Sequence, residues 1–359
     1  MDKKLIAAAV SGALAAPIAA QAVDFKTSGH INRMIRYADN GENSDVQFTD
    51  NTASRSRVRF VGSSDIGNGM KAGVNLELGF ASNRSGQVNI QGADGGDSFE
   101  GGDDIRHSAL WYSGNWGKVT MGHTSAATDG MSGADLRGTW MADHNTSYGA
   151  CSSCTVIASR GRKAGGRRDT AGELADYHGT FDGGRLDILR YDTPALGPAK
   201  LAVSAGNKGY YDIGGFLNTD VGGGALALAA GYIEASDRSG WDRYAVSGSY
   251  RFSQGTALQL VYSAQDFDAN GRSTAENWFG SIGHRWGANR ASISYGTTDD
   301  LFNNGSEAER FGIGWQHDMS KSGISLYAAY HNYQQEAGGR GGDSEDFIIV
   351  RVGSRVQFW

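Results

Sequence analysis

From Val23 to the end of the chain, segments of about ten residues recur in which apolar side chains alternate with small or polar ones, and no other feature restricts the fold as strongly. A period of two belongs to a strand whose faces meet different surroundings. Leu226, Leu228, Ala230 and Tyr232 share one face, as do Leu258, Leu260, Tyr262 and Ala264, with Gln259, Ser263 and Gln265 between them. Tyr244, Val246 and Tyr250 stand opposite Arg243, Ser247 and Arg251; Ile348, Val350, Val352 and Val356 stand opposite Arg351, Arg355 and Gln357. This alternation fits a water-soluble sandwich with its apolar face inward, and equally a membrane barrel with its apolar face outward.

Connection lengths separate the two. Short turns at 64–69, 113–117, 194–198, 253–255, 287–289 and 319–323 alternate with longer acidic or glycine-rich connections at 38–52, 83–103, 125–184, 267–274, 299–308 and 335–345. Short turns at one end and long loops at the other mark a transmembrane β-barrel. Under that rule the chain divides into 16 strands, near 24–37, 53–63, 70–82, 104–113, 117–125, 185–193, 198–207, 210–218, 223–235, 241–252, 256–266, 275–286, 289–299, 308–318, 323–334 and 346–359. An even count brings both termini to one side, and a barrel this wide encloses water. Trp111, Trp116, Trp241, Trp278, Trp286 and Trp315 lie near strand ends and are candidates for aromatic girdles at the lipid interface.

Composition agrees by exclusion. With 54 Gly and 3 Pro in 359 residues the chain is neither a collagen nor a proline-rich linker, and past the N-terminus it has no apolar run long enough for a membrane helix. A net charge of -6 argues against a nucleic-acid partner. At the N-terminus Lys3 and Lys4, the apolar stretch Leu5 to Ala16, Pro17, and the small residues Ala20 and Ala22 read as a secretory signal peptide over 1–22, leaving a barrel over 23–359.

Further stretches carry a family likeness: Ser28-Gly29-His30-Ile31-Asn32; Ser56-Arg57-Val58-Arg59-Phe60-Val61-Gly62 with Asp65-Ile66-Gly67-Asn68-Gly69-Met70-Lys71-Ala72 and Leu76-Glu77; and Gly117-Lys118-Val119-Thr120-Met121-Gly122, Arg190-Tyr191-Asp192-Thr193-Pro194 and Gly353-Ser354-Arg355-Val356-Gln357-Phe358. In that order they resemble the first strand, the second strand, turn and third strand, and the fifth, sixth and closing strands of the Gram-negative porin superfamily. The resemblance implies an all-β fold, a transmembrane antiparallel 16-stranded barrel with a long inward-folded third loop, assembled as a homotrimer in the outer membrane beside lipopolysaccharide. The chain departs from the pattern in two places. Trp359 follows the usual terminal aromatic, here Phe358, which bears on recognition by the insertion machinery, and the third loop is longer and more basic.

Arg55, Arg57 and Arg59 alternate with Val58 and Phe60, so their guanidiniums are expected to face water, because lipid exposure costs too much. The resemblance places Arg57, Arg106 and Arg190 in the basic wall of a pore constriction, with His30 and Arg36 nearby, and sets acidic residues of the third loop against them. Asp129, Asp135 and Asp143 are the candidates. A transverse field between such walls orients dipolar solutes and concentrates counter-ions. Glu77, between Leu76 and Leu78, is expected in the lumen, either tempering the basic wall or pairing with a neighbouring arginine.

Arg160, Arg162, Lys163, Arg167 and Arg168 form a basic cluster in the third loop that either dips into the pore, favouring anions, or stays at the surface as a solvated or lipopolysaccharide-contacting loop. Cys151 and Cys154, in a chain bound for an oxidising compartment, read as a disulfide rather than a redox or zinc motif. No cofactor is expected. The acidic stretches Asp39 to Asp45 and Asp94 to Asp104 are either solubilising loops or seats for Ca²⁺ or Mg²⁺. The histidines lack recurrent catalytic spacing, so an enzyme is not expected. The reading is a passive diffusion channel for small hydrophilic solutes. The alternatives are a substrate-selective channel for an anion or sugar, a structural or adhesive barrel, and a soluble periplasmic β-protein.

Overall fold

A computed structural model describes residues 24–88, 90, 105–145, 155–162, 168–319, 322–338 and 342–358. The expected signal peptide, the stretch Asp94 to Asp104, Cys151, Cys154, residues 163–167 and Trp359 lie outside the described residues.

The alternating segments become strands because each presents one face to lipid and one to the lumen. First come β1 (Asp24–Asp39), β2 (Ser44–Asp50), β3 (Arg57–Gly67), β4 (Met70–Gly79), β5 (Ile105–Gly114) and β6 (Gly117–Ser125). The long third loop, 126–184, contains the hairpin β7 (Thr155–Arg162) and β8 (Arg168–Glu173) and a one-turn helix, Leu174–Tyr177. Then follow β9 (Arg185–Asp192), β10 (Ala199–Gly206), β11 (Tyr211–Val221), β12 (Gly224–Glu234), β13 (Trp241–Arg251) and β14 (Thr256–Phe267). The chain continues through β15 (Ala275–Trp286), β16 (Asn289–Asp299), β17 (Glu307–Met319), β18 (Ile324–Ala337), the short β19 (Gly342–Asp343) and β20 (Phe347–Phe358).

Neighbouring staves pair antiparallel, and β20 closes the cylinder on β1 in the register Gly29↔Phe358 to Asp39↔Ile348. β2 and β3 both pair with β1, β2 along Arg33 to Asp39 and β3 along Asp24 to His30. They therefore form one stave interrupted at 51–56, which brings the barrel to sixteen staves among the described residues. This corrects the expected second strand. Residues 44–50 are wall rather than loop, and 53–56 are not strand.

The faces are inverted relative to a soluble protein. Leu260 is 72% exposed on the outside while its neighbour Gln259 is 3% exposed inside. Outward Tyr244, Tyr262 and Trp278 run side by side near one end, with ring centroids 6.2 and 4.6 Å apart. Near the other end Trp286 stacks with His284 and Trp315 with His317. Trp278 and Trp286 lie eight residues apart on β15, about 27 Å of strand and roughly 20 Å of height at the usual tilt, which suits a bilayer core.

Two tryptophans turn the other way. Trp111 sits in register with buried Thr120 and lies under the Lys118 ammonium, and Trp241 lies under the Arg243 guanidinium at 3.8 Å; both belong to the lumenal face. Gly222 and Gly223, at φ 60° and 76°, make the two-residue turn between β11 and β12, a conformation other residues reach only with strain.

Candidate functional site: the lumenal constriction

The third loop lies along the inside of the wall because inward positions on β10 to β17 are small hydroxyl, amide or glycine residues that meet its backbone. Ala127 N donates to Ser204 Oγ (3.1 Å), Ala134 N to Ser247 Oγ (3.1 Å) and Leu136 N to Ser249 Oγ (3.1 Å). Gln259 Nε2 donates to Ala134 O (2.9 Å), and Ser247 Oγ to Met131 O (2.7 Å). At Gly214 a Cβ would stand 2.3 Å from Ala127 O, so only glycine lets the loop root lie this close. Farther along, Leu174 and Tyr177 pack against Tyr333, Phe347 and Ile349 in an apolar cluster inside the barrel.

Asp143 anchors the loop at its far wall. Its carboxylate accepts from Arg137 Nη1 (3.0 Å), Arg310 Nη2 (2.7 Å), Ser292 Oγ (2.8 Å) and Ser294 Oγ (2.7 Å), with His331 Nε2 at 3.4 Å. Burial would raise this carboxyl, but His331, Arg310 and Arg137 outweigh burial and hold it well below the usual carboxylate range. Asp135 is likewise tied to Arg137, whose Nε lies 3.0 Å from Oδ1. Of the three acidic candidates in the loop, Asp129 lines the arginine-rich lumenal cavity, 3.9 Å from Arg185.

On the opposite wall the buried Glu77 collects three arginines: Arg57 Nη1 at 3.2 Å, Arg59 Nε at 2.5 Å and Arg106 Nε at 2.5 Å. A carboxylate in this position keeps three like charges on neighbouring strands from repelling one another apart. Arg55 does not continue the alternation of Arg57 and Arg59. It ends a 3-10 turn, Thr52–Ser54, in the broken stave. Three further candidates make structural contacts. His30 Nε2 reaches Arg55 O (2.9 Å). Fully buried Arg36 donates to Gln47 Oε1, Ser85 O and Val88 O. Arg190 binds Ser125 O, Ala126 O and Asp192 at the loop root. Arg160, Arg162 and Arg168 fall on the backbone of the β7–β8 hairpin.

Between these walls lies a cavity of about 620 Å³ into which Arg55, Arg106, Arg185, Arg238 and Arg243 face together with Asp129 and Asp182. Asp182 accepts from Gly130 N (3.0 Å), Met131 N (2.9 Å) and Gly183 N (3.0 Å), fastening the outgoing and returning limbs of the loop. Burial, and then the Asp129 charge, push its carboxyl up to about 6 against those bonds. His144 lines this cavity and also a second of about 250 Å³ beside Asp135 and Trp140, so it stands between two chambers. Asp182, Arg185 and Arg243 were not sequence candidates. Asp182 lies in an irregular segment with no alternation around it, whereas Arg243 was visible as the polar partner of Tyr244.

A family model described as Gram-negative porin matches residues 6–338. No curated protein matches the chain. Among solved structures, an anion-selective porin from Comamonas acidovorans is similar at TM-score 0.60 and 18% identity, over 94% of this chain and 100% of that one. OmpT of Vibrio cholerae in its trimer form is similar at TM-score 0.58 and 13% identity (94% and 100%). The outer membrane channel DcaP of Acinetobacter baumannii is similar at TM-score 0.59 and 14% identity (96% and 100%). At these identities the likeness is one of fold.

Proposed function

The chain belongs to the Gram-negative porins, and from that premise we propose that it is an anion-favouring diffusion channel whose selectivity is set in the arginine-lined cavity. Its place is the bacterial outer membrane, and passive diffusion through the lumen is its function. The observation that carries the preference is the charge in that cavity, five guanidiniums against two carboxylates. Low-dielectric walls of one dominant sign concentrate the opposite ion. Small hydrophilic anions are the solutes this favours, and the similar Comamonas porin is named anion-selective.

The molecule works as a channel with no catalytic step. Its buried histidines serve packing: His30 holds backbone carbonyls, His178 meets Gln335 and His331 lies beside Asp143. A trimer beside lipopolysaccharide is the assembly we infer, in line with the trimer form of the Vibrio protein. The test is reversal potential in a planar bilayer across a KCl gradient. A potential on the chloride side supports the proposal, and one on the potassium side overturns it. Conductance that saturates with one anion would favour a substrate-selective channel instead.

A further inference from the structure

The break in the second stave is built, not slack. The Asn51 side chain caps the turn by accepting from Ala53 N (3.0 Å), and its Nδ2 donates to Met141 O (3.1 Å) on the third loop. Thr52 N donates to Ser85 Oγ (3.0 Å), and Gly86 N to Thr52 Oγ1 (3.0 Å), so the segment after β4 holds it from the side. From β1, His30 Nε2 reaches Arg55 O (2.9 Å) and Ser54 O (3.3 Å), Asn32 Nδ2 donates to Ser54 O (3.0 Å), and Asn32 N to Ser56 Oγ (2.9 Å). Carbonyls only accept, so His30 carries its proton on Nε2. Tyr327 Oη closes the set by donating to Asn32 Oδ1 (2.7 Å).

Asn32, Asn51, Ser54 and Ser56 are each no more than 1% exposed, yet Thr52, Ala53 and Arg55 of the same segment face the cavity. An uninterrupted strand hands its backbone groups to its neighbours and puts only side chains into the lumen. This segment moves its backbone into the lumen, and the displaced carbonyls of Ser54 and Arg55 are met by His30 and Asn32.

We propose that residues 51–56 are a fixed second jaw of the constriction, facing the third loop. In this arrangement His30 and Asn32 are positioning residues that hold the Arg55 guanidinium in the solute path. The proposal rests on reading the arginine-lined cavity as that path. Arg55 acts on passing ions through its charge, and the two β1 residues act only through Arg55 and the jaw backbone.

The experiment compares bilayer conductance, open-channel noise and KCl reversal potential for the wild-type protein, Arg55→Gln, the pair His30→Ala with Asn32→Ala, and all three together. Arg55→Gln is expected to lower the anion-to-cation permeability ratio about twofold in the wild-type background. In the His30→Ala, Asn32→Ala background the same change is expected to shift the ratio by less than half as much, with larger and noisier conductance. His30→Gln, which keeps a donor, restores the quiet state. If the double variant does not assemble, Asn51→Ala replaces it, since that cuts the bond to the third loop and leaves β1 intact. An equal Arg55→Gln shift in both backgrounds, or a His30→Ala, Asn32→Ala channel matching wild type in noise and conductance, overturns the jaw. A wild-type chain that does not conduct overturns the channel reading with it, and a conducting chain in which Arg55→Gln has no effect overturns the jaw alone.

Discussion

At the scale of the residue, Glu77 shows how one buried carboxylate organises a basic wall. Its side chain is fully covered, and Arg57, Arg59 and Arg106 converge on it from β3 and β5. Replacing one partner of a buried ion pair costs about 3 kcal/mol when the remaining charges are left without compensation. Glu77→Gln is therefore expected to lower the thermal unfolding temperature in detergent and also to push the reversal potential further to the chloride side, because one negative charge leaves beside three positive ones. Unchanged stability together with unchanged selectivity would show that the three arginines stand without it. Glu77, Arg57 and Arg59 were legible in the sequence because a period of two assigns each strand residue to a face, whereas Arg106 was expected there only from the family resemblance, and the register between β4 and β5 shifts beside it. Asp182 was not legible, since a residue in an irregular loop has no such rule and its role depends on where residues 129–131 return.

At the scale of the element, the third loop behaves as part of the wall. Its backbone is bonded strand by strand to inward serines, and its outgoing limb is fixed to the opposite wall at Asp143. Asp143→Asn would leave Arg137 and Arg310 facing a neutral group in a buried site. The expected result is detachment of that limb, read as a larger single-channel conductance with frequent sublevels. A channel identical to wild type would place the anchor elsewhere. Because this carboxyl is held well below the usual range, the anchor stays ionised, and its stabilising contribution is lost only as pH falls through that depressed value. The strands this loop rests on were readable from alternation. The interruption at 51–56 was not, because Arg55 falls two residues before Arg57 in sequence and so mimics a period of two that the backbone, leaving the sheet in a 3-10 turn, does not keep. What decides that break is a set of partners distant in sequence: His30, Asn32, Tyr327 and Met141.

At the scale of the molecule, the barrel is a frame with an apolar outer face and a polar lumen, and in the proposed reading the charges in that lumen decide which ions pass. Asp182 is a cavity group whose charge changes near neutral pH, its carboxyl pushed up to about 6 by burial and by Asp129. Facing it are Asp129, Arg55, Arg106, Arg185, Arg238 and Arg243, while His144 is held at about 4 by burial and Arg310 and so stays neutral across the window. As pH falls from 7 to 5, Asp182 takes up a proton and the cavity loses one of its two carboxylates. Anion preference should therefore rise on acidification, and the KCl reversal potential should move further to the chloride side with a midpoint near pH 6. For stability the sign is the reverse of an ordinary salt-bridged carboxylate. The folded value lies above the ordinary 3.8, so the contribution from this group is full below about 3.8 and is lost as pH rises through about 6. Asp182→Asn should fix the channel at its acidic-side selectivity and flatten the pH dependence between 5 and 7. A wild-type reversal potential that does not vary over that range, or an Asp182→Asn channel that keeps the full shift, would move the titrating group out of the cavity.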